Sequence, residues 1–102
     1  MNISPKKAFE LLSKDNVILL DTRSPEEYQE SHIKNSKLID LTNPSFMNDI
    51  NKLDKNKTYI LYCHTGGRSS YITQIMLNLG FQNVFNIEGG IMYWENQGLP
   101  VE

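Results

Sequence analysis

One stretch constrains this chain more than any other: Thr58 to Gly80, an apolar run, a cysteine-led loop and an amphipathic segment in immediate succession. Tyr59-Ile60-Leu61-Tyr62 is short, apolar and β-prone, and reads as a buried strand. Ile72, Ile75, Met76 and Leu79 recur at helical spacing, and Gly80 stands where a C′ glycine ends a helix. Cys63-His64-Thr65-Gly66-Gly67-Arg68 therefore forms a six-residue loop between strand and helix.

That placement has chemical consequences. Successive N–H groups in a glycine-containing loop turn inward and make an anion-binding concavity. The following helix aims its partial positive end at the same point. A cysteine there is stabilised as thiolate, its nucleophilic form. Gly66 and Gly67 allow close backbone approach, and Arg68 offers a planar fork to an oxyanion. The reading is a cysteine nucleophile, Cys63, with His64 to Arg68 as a cradle for a small anion. A buried, inert cysteine before an ordinary turn is the plainer reading; Gly-Gly-Arg at a helix head favours the functional one.

The remaining chain fits a fold around that unit. Its 102 residues suffice for one domain, 1–102, with one modest core. Net charge is −2 without a basic block, which argues against nucleic acid or an anionic membrane as partner. No apolar run approaches the ~20 residues that span a bilayer. The first residues lack the apolar core of a signal peptide. One cysteine excludes an internal disulfide, and with two histidines it does not make a zinc site. No metal or cofactor is expected. The expected setting is a reducing cytoplasm, where a lone thiol stays free, and the expected state is a monomer.

Ile3 starts an edge strand. Ser4-Pro5 caps a helix to about Ser13, with Ala8, Leu11 and Leu12 on its apolar face and Phe9 nearby. Val17-Ile18-Leu19-Leu20 reads as a strand buried on both faces. Ser24-Pro25-Glu26-Glu27 is a capping box that opens a short helix. Asp21, Arg23 and Glu27 read as a structural ion-pair network rather than catalytic carboxylates, and His32 as a hydrogen-bonded anchor rather than a base. Lys37 to Asp40 is a short strand. Asn43-Pro44 predicts a helix whose Phe46, Met47, Ile50 and Leu53 enter the core. Asn83 to Asn86 is a strand, Ile87 to Gly90 a turn, and Ile91 to Gln97 a helix that packs Ile91 and Trp94. Strands and helices alternate throughout. That predicts an α/β domain, a mainly parallel sheet with helices on both faces. The loop at 63–68 then lies outside the carboxyl end of a central strand, where such folds bind ligands.

In sum of motifs the chain resembles a single-domain rhodanese, a sulfurtransferase. The resemblance rests on Asp21-x-Arg23 with Glu27 and His32-Ile33, and on Cys63 through Ser69. It extends to Leu79-Gly80-Phe81 with Val84, and to Glu88-Gly89-Gly90 with Trp94 and Gly98-Leu99-Pro100. It implies a three-layer fold with a five-stranded, mainly parallel sheet. It also implies a two-step reaction. Cys63 takes a sulfane sulfur from a donor such as thiosulfate and becomes a persulfide; a thiol or cyanide acceptor then removes it. The N–H groups of His64 to Arg68 would cradle the outer sulfur, and Arg68 would help hold an anionic donor. The similar dual-specificity phosphatases carry a seven-residue Cys-x5-Arg loop, and the shorter Cys-x4-Arg form here suits sulfur rather than phosphate. Two family glycines are replaced, by Ser31 and Asn35. Asn35 is expected to keep a left-handed turn; Ser31 requires adjustment if its φ is positive. His64 either tunes the donor preference and thiolate or simply faces solvent.

Two functions follow from this loop: an enzyme of the thiosulfate sulfurtransferase type, or a persulfide carrier and protein-interaction module loaded by a partner. A third, an inactive regulatory domain, is disfavoured by the presence of Cys63. With one cysteine in the chain, any resolving thiol comes from another molecule, a diffusible thiol or a thioredoxin-like reductant.

Overall fold

A computed structural model describes residues 1–102. Five strands alternate with five helices: β1 (Asn2–Ile3), α1 (Pro5–Leu11), β2 (Val17–Asp21), α2 (Pro25–Glu30), β3 (Lys37–Leu38), α3 (Phe46–Asn51), β4 (Thr58–Tyr62), α4 (Gly67–Asn78), β5 (Asn83–Ile87) and α5 (Gly90–Asn96). The strands form one sheet in the order β1-β5-β4-β2-β3, and every strand pair in it is parallel. Five residues of β2, Val17 to Asp21, pair with Thr58 to Tyr62 of β4. Strand β4 is thus central.

The absence of alternation in β4 has its explanation in two half-cores. Tyr59 and Leu61 point to one face, where Leu20, Val84, Phe46 and Ile50 of α3, and Ile72 and Met76 of α4 close over them. Ile60 and Tyr62 point to the other, against Leu19, Ile87, Ala8 of α1, Ile33, and Ile91 and Trp94 of α5. All four β4 side chains are fully buried. A strand apolar on both faces is what a sheet covered on both sides needs. The three-layer α/β arrangement expected from the alternation is the one observed.

Several boundaries differ from expectation. Helix α1 stops at Leu11, with Leu12 as its C-cap. Phe9 is largely exposed, its ring edge-on to Trp94 at 6.0 Å between centroids. Strand β3 is only two residues long, because Asp40 turns the chain by accepting from the N–H and hydroxyl of Thr42. Helix α3 begins at Phe46 rather than at Pro44. Asn43 is not its cap: the Asn43 carboxamide accepts from the N–H and hydroxyl of Ser45 and closes a separate turn first. Met47, expected in the core, faces solvent at the edge of the helix face that buries Phe46 and Ile50.

Two of the three capping signatures read from sequence are formed. Ser4 accepts from the Lys7 N–H, and Ser24 and Glu27 make a reciprocal capping box. Asn35 takes the left-handed conformation at φ 68°. Ser31 lies in extended backbone at φ −166°, so the missing glycine there costs nothing.

Candidate active site

Cys63 directly follows β4, and Gly66 directly precedes α4, so the loop is short and rigidly held. Gly66 stands at φ 113°, a conformation open to glycine and strained for any other residue. That turn brings the Gly66 N–H to 3.0 Å from Cys63 Sγ. Gly67 and Arg68 already belong to the first turn of α4, not to a separate loop. The twelve-residue helix therefore directs its N-terminus at the sulfur.

Sγ is buried, and burial alone would push its thiol pKa up. Hydrogen bonds from the Ser69 hydroxyl and from the N–H groups of Ser69, Gly66 and Arg68 outweigh that and hold it below the ordinary thiol value. The donors on Sγ itself are thus Gly66, Arg68 and Ser69, the last lying one residue beyond the His64–Arg68 stretch read as the cradle. His64, Thr65 and Gly67 side positions are exposed.

Ser69 is fully buried and 3.4 Å from Sγ. Its hydroxyl also faces the Gly66 carbonyl and the side-chain oxygen of Asn86 on β5. Asn86 in turn reaches the Asn2 side chain of β1 at 3.0 Å. A single hydroxyl proton is therefore shared among three acceptors, one of them the sulfur.

The start of the loop is fixed from α5. The N–H groups of Ile91 and Met92 donate to the carbonyls of Cys63 and His64, at 2.9 and 3.2 Å. Gly90 permits this approach: a Cβ there would sit 2.4 Å from the Cys63 oxygen and 2.5 Å from that of His64.

The expected network of Asp21, Arg23 and Glu27 is only partly formed. Asp21 and Arg23, both buried, pair at 2.7 Å, and the Arg23 guanidinium also donates to the Ser31 carbonyl at 2.6 Å. Glu27 turns instead to the loop. Its two carboxylate oxygens accept from Nη1 and Nη2 of Arg68 at 2.9 and 3.0 Å. The capping box explains the swing, since it holds the Glu27 carboxylate over the N-terminus of α2, on the loop's side of the sheet. The Arg68 bonds, aided by Ser24, lower the Glu27 pKa to about 2. A shallow recess beside the loop is lined by Arg23, Glu27, Glu30, His64, Met92 and Glu95.

His32 is an anchor, as expected. Its Nδ1 lies 2.9 Å from the Tyr28 carbonyl, its ring stacks on Tyr28 at 4.0 Å, and its backbone exchanges two hydrogen bonds with Glu102.

The family model of the Rhodanese-like domain matches residues 4–97 of this chain. The chain belongs to the rhodanese-like family. A thiosulfate sulfurtransferase GlpE of Actinobacillus pleuropneumoniae is 33% identical over 100 residues, which cover 98% of this chain and 91% of that protein. A rhodanese-related protein of Thermoplasma volcanium superposes with a TM-score of 0.88 at 29% identity, covering 99% of this chain and 96% of that one. The polysulfide-sulfur transferase homodimer of Wolinella succinogenes gives 0.84 at 29% identity, covering all of this chain and 77% of that one.

Within this rhodanese-like site, the structure adds four residues to those singled out from sequence. Ser69 was visible as part of the loop motif but not as a group on the sulfur. Gly90 was visible as a turn glycine, not as the point where α5 grips the loop. Glu27 carried a capping signature and a place in the expected Asp21–Arg23 network, and neither pointed to Arg68. Asn86 had no signal beyond its place in a strand.

Proposed function

We propose that this protein is a sulfurtransferase of the thiosulfate type, acting through a persulfide on Cys63, with residues 1–102 working as one domain. The observation that carries the reading is the environment of Sγ. A thiol at the N-terminus of α4, with Gly66, Arg68, Ser69 N–H groups and the Ser69 hydroxyl directed at it, is held toward thiolate. The thiolate attacks the sulfane sulfur of thiosulfate, the S–S bond breaks, and sulfite leaves with the electron pair. Cys63 then carries an S–S⁻ group, and the loop donors stabilise the negative charge as it develops. An acceptor thiolate or cyanide takes the outer sulfur and restores Cys63. GlpE and the polysulfide-sulfur transferase support this reading by name and likeness. With one cysteine in the chain, the acceptor thiol belongs to another molecule, such as a small thiol or a thioredoxin-like reductant in a reducing cytoplasm.

The test is intact mass before and after thiosulfate, then after cyanide. Gain of one sulfur atom, its removal by cyanide, and no gain in Cys63→Ser are the expected results. No gain while Cys63 still alkylates would exclude thiosulfate as donor and leave a carrier loaded by a partner protein.

A further inference from the structure

We propose that Glu27 sets the donor preference of the Cys63 site by competing with oxyanions for Arg68. The proposal rests on the persulfide reading and names the class of donor that the site favours. Arg68 is the one cation of the loop, and both of its terminal nitrogens are already bound to the two oxygens of Glu27. The Glu27 carboxylate is itself anchored, since Oε1 accepts from the N–H and the hydroxyl of Ser24, each at 3.1 Å. The guanidinium that lines the neighbouring recess, that of Arg23, is taken up by Asp21 and the Ser31 carbonyl. The recess adds Glu30 and Glu95 to the negative charge.

The consequence depends on the leaving group. Thiosulfate arrives with two negative charges and leaves its oxygens as sulfite. To place those oxygens on Arg68 it must displace Glu27, and while Glu27 stays it meets a carboxylate. An alkyl hydropersulfide, R–S–SH, carries no oxygens on the leaving sulfur. Cys63 thiolate attacks its terminal sulfur, the S–S bond breaks, and R–S⁻ leaves with the electron pair; Cys63 is left as S–SH. This step needs only the loop N–H groups, which are free of Glu27. The geometry therefore favours hydropersulfide donors over thiosulfate, and Glu27 is the residue that makes the difference.

Glu27→Gln is the informative variant. Glutamine at this position still completes the Ser24 capping box, so α2 is kept while the charge that neutralises Arg68 is removed. The ratio of kcat/KM for thiosulfate to that for ethyl hydropersulfide should rise about five- to tenfold, the scale of a partly exposed charged pair. The rise should come from a lower thiosulfate KM and vanish in Glu27→Gln/Arg68→Gln. Binding is read separately from turnover: sulfate, against chloride at matched ionic strength, should protect Cys63 from iodoacetamide at a five- to tenfold lower concentration in Glu27→Gln, on the same scale. An unchanged or reduced ratio, or sulfate protection equal in the two proteins, overturns the proposal. If neither donor loads sulfur on Cys63, the persulfide reading fails, and the sulfate experiment alone decides whether Glu27 and oxyanions compete.

Discussion

At the scale of single residues, the chemistry of this site is decided by where one hydroxyl proton goes. Ser69 faces Cys63 Sγ, the Gly66 carbonyl and the Asn86 carboxamide with one O–H to give. Its share on the sulfur is part of what holds the thiol below its ordinary value against the opposing effect of burial. Ser69→Ala removes that donor and leaves the backbone N–H groups in place. The midpoint of the pH profile for Cys63 alkylation should move up, and the rate at neutral pH should fall about two- to fivefold, the scale of one neutral hydrogen bond. A profile that does not move would assign the thiolate to the backbone N–H groups alone. The cysteine and its glycines were legible in sequence because local chemistry fixes them: a thiol next to φ-permissive residues at a helix head has few other readings. Glu27 was not. Its partner Arg68 lies 41 positions away, and its short-range signature was already satisfied by Ser24. Long-range pairing between two residues that each have a local explanation leaves no trace in one sequence.

At the scale of elements, the loop is a joint between β4, α4 and α5 rather than a property of its own six residues. Helix α4 supplies the positive end, and α5 clamps the carbonyls of Cys63 and His64 through Ile91 and Met92. The clamp depends on Gly90, which sits at φ 60° with its Cα against those carbonyls. Gly90→Ala places a methyl inside the van der Waals radius of backbone that cannot rotate away, and adds a left-handed penalty. We expect a loss of about 2–4 kcal/mol in unfolding free energy, read as a lower denaturant midpoint, together with slower Cys63 alkylation as the loop is pushed off its donors. Unchanged stability and reactivity would show that α5 can withdraw without disturbing the loop. Element types followed from apolar periodicity where a face is buried, as in β4 and α4, and from the cap alone in α2, which has no buried residue. Boundaries failed where side chains chose turns over helix. Asn43-Pro44 has a helix-start signature, yet Asn43 spends its carboxamide on Ser45 and delays α3 to Phe46.

At the scale of the whole molecule, the half-core under α1 and α5 is tied to the α2–β3 connection by one phenol. Tyr62 ends the central strand, fully buried, and its hydroxyl oxygen accepts the Ile33 N–H at 3.0 Å and bonds the Ser36 hydroxyl at 2.9 Å. Burial, with the negative charge of Asp21 beside it, raises its pKa well above the usual phenol range despite the bonds from Ser36 and Ile33. The sign of the resulting pH dependence is fixed. Below about pH 10 the phenol is neutral in both folded and unfolded chains, and its contribution to stability is fully present. Above that, the unfolded chain releases the proton while the folded one keeps it, so the unfolded state binds one proton fewer. Stability then falls by about 1.4 kcal/mol per pH unit from this group alone, until the folded phenol ionises too. Tyr62→Phe separates two effects. It strands the buried Ile33 N–H, which lowers stability at neutral pH by about 1–3 kcal/mol. It also removes one titrating group, so the alkaline limb of stability against pH becomes shallower by that one-proton slope. Denaturant midpoints measured at neutral pH and at two values above 10 give both numbers. A variant less stable at neutral pH but with the wild-type alkaline slope would mean that Tyr62 ionises in the folded chain, and that the strand end carrying Cys63 is open to water.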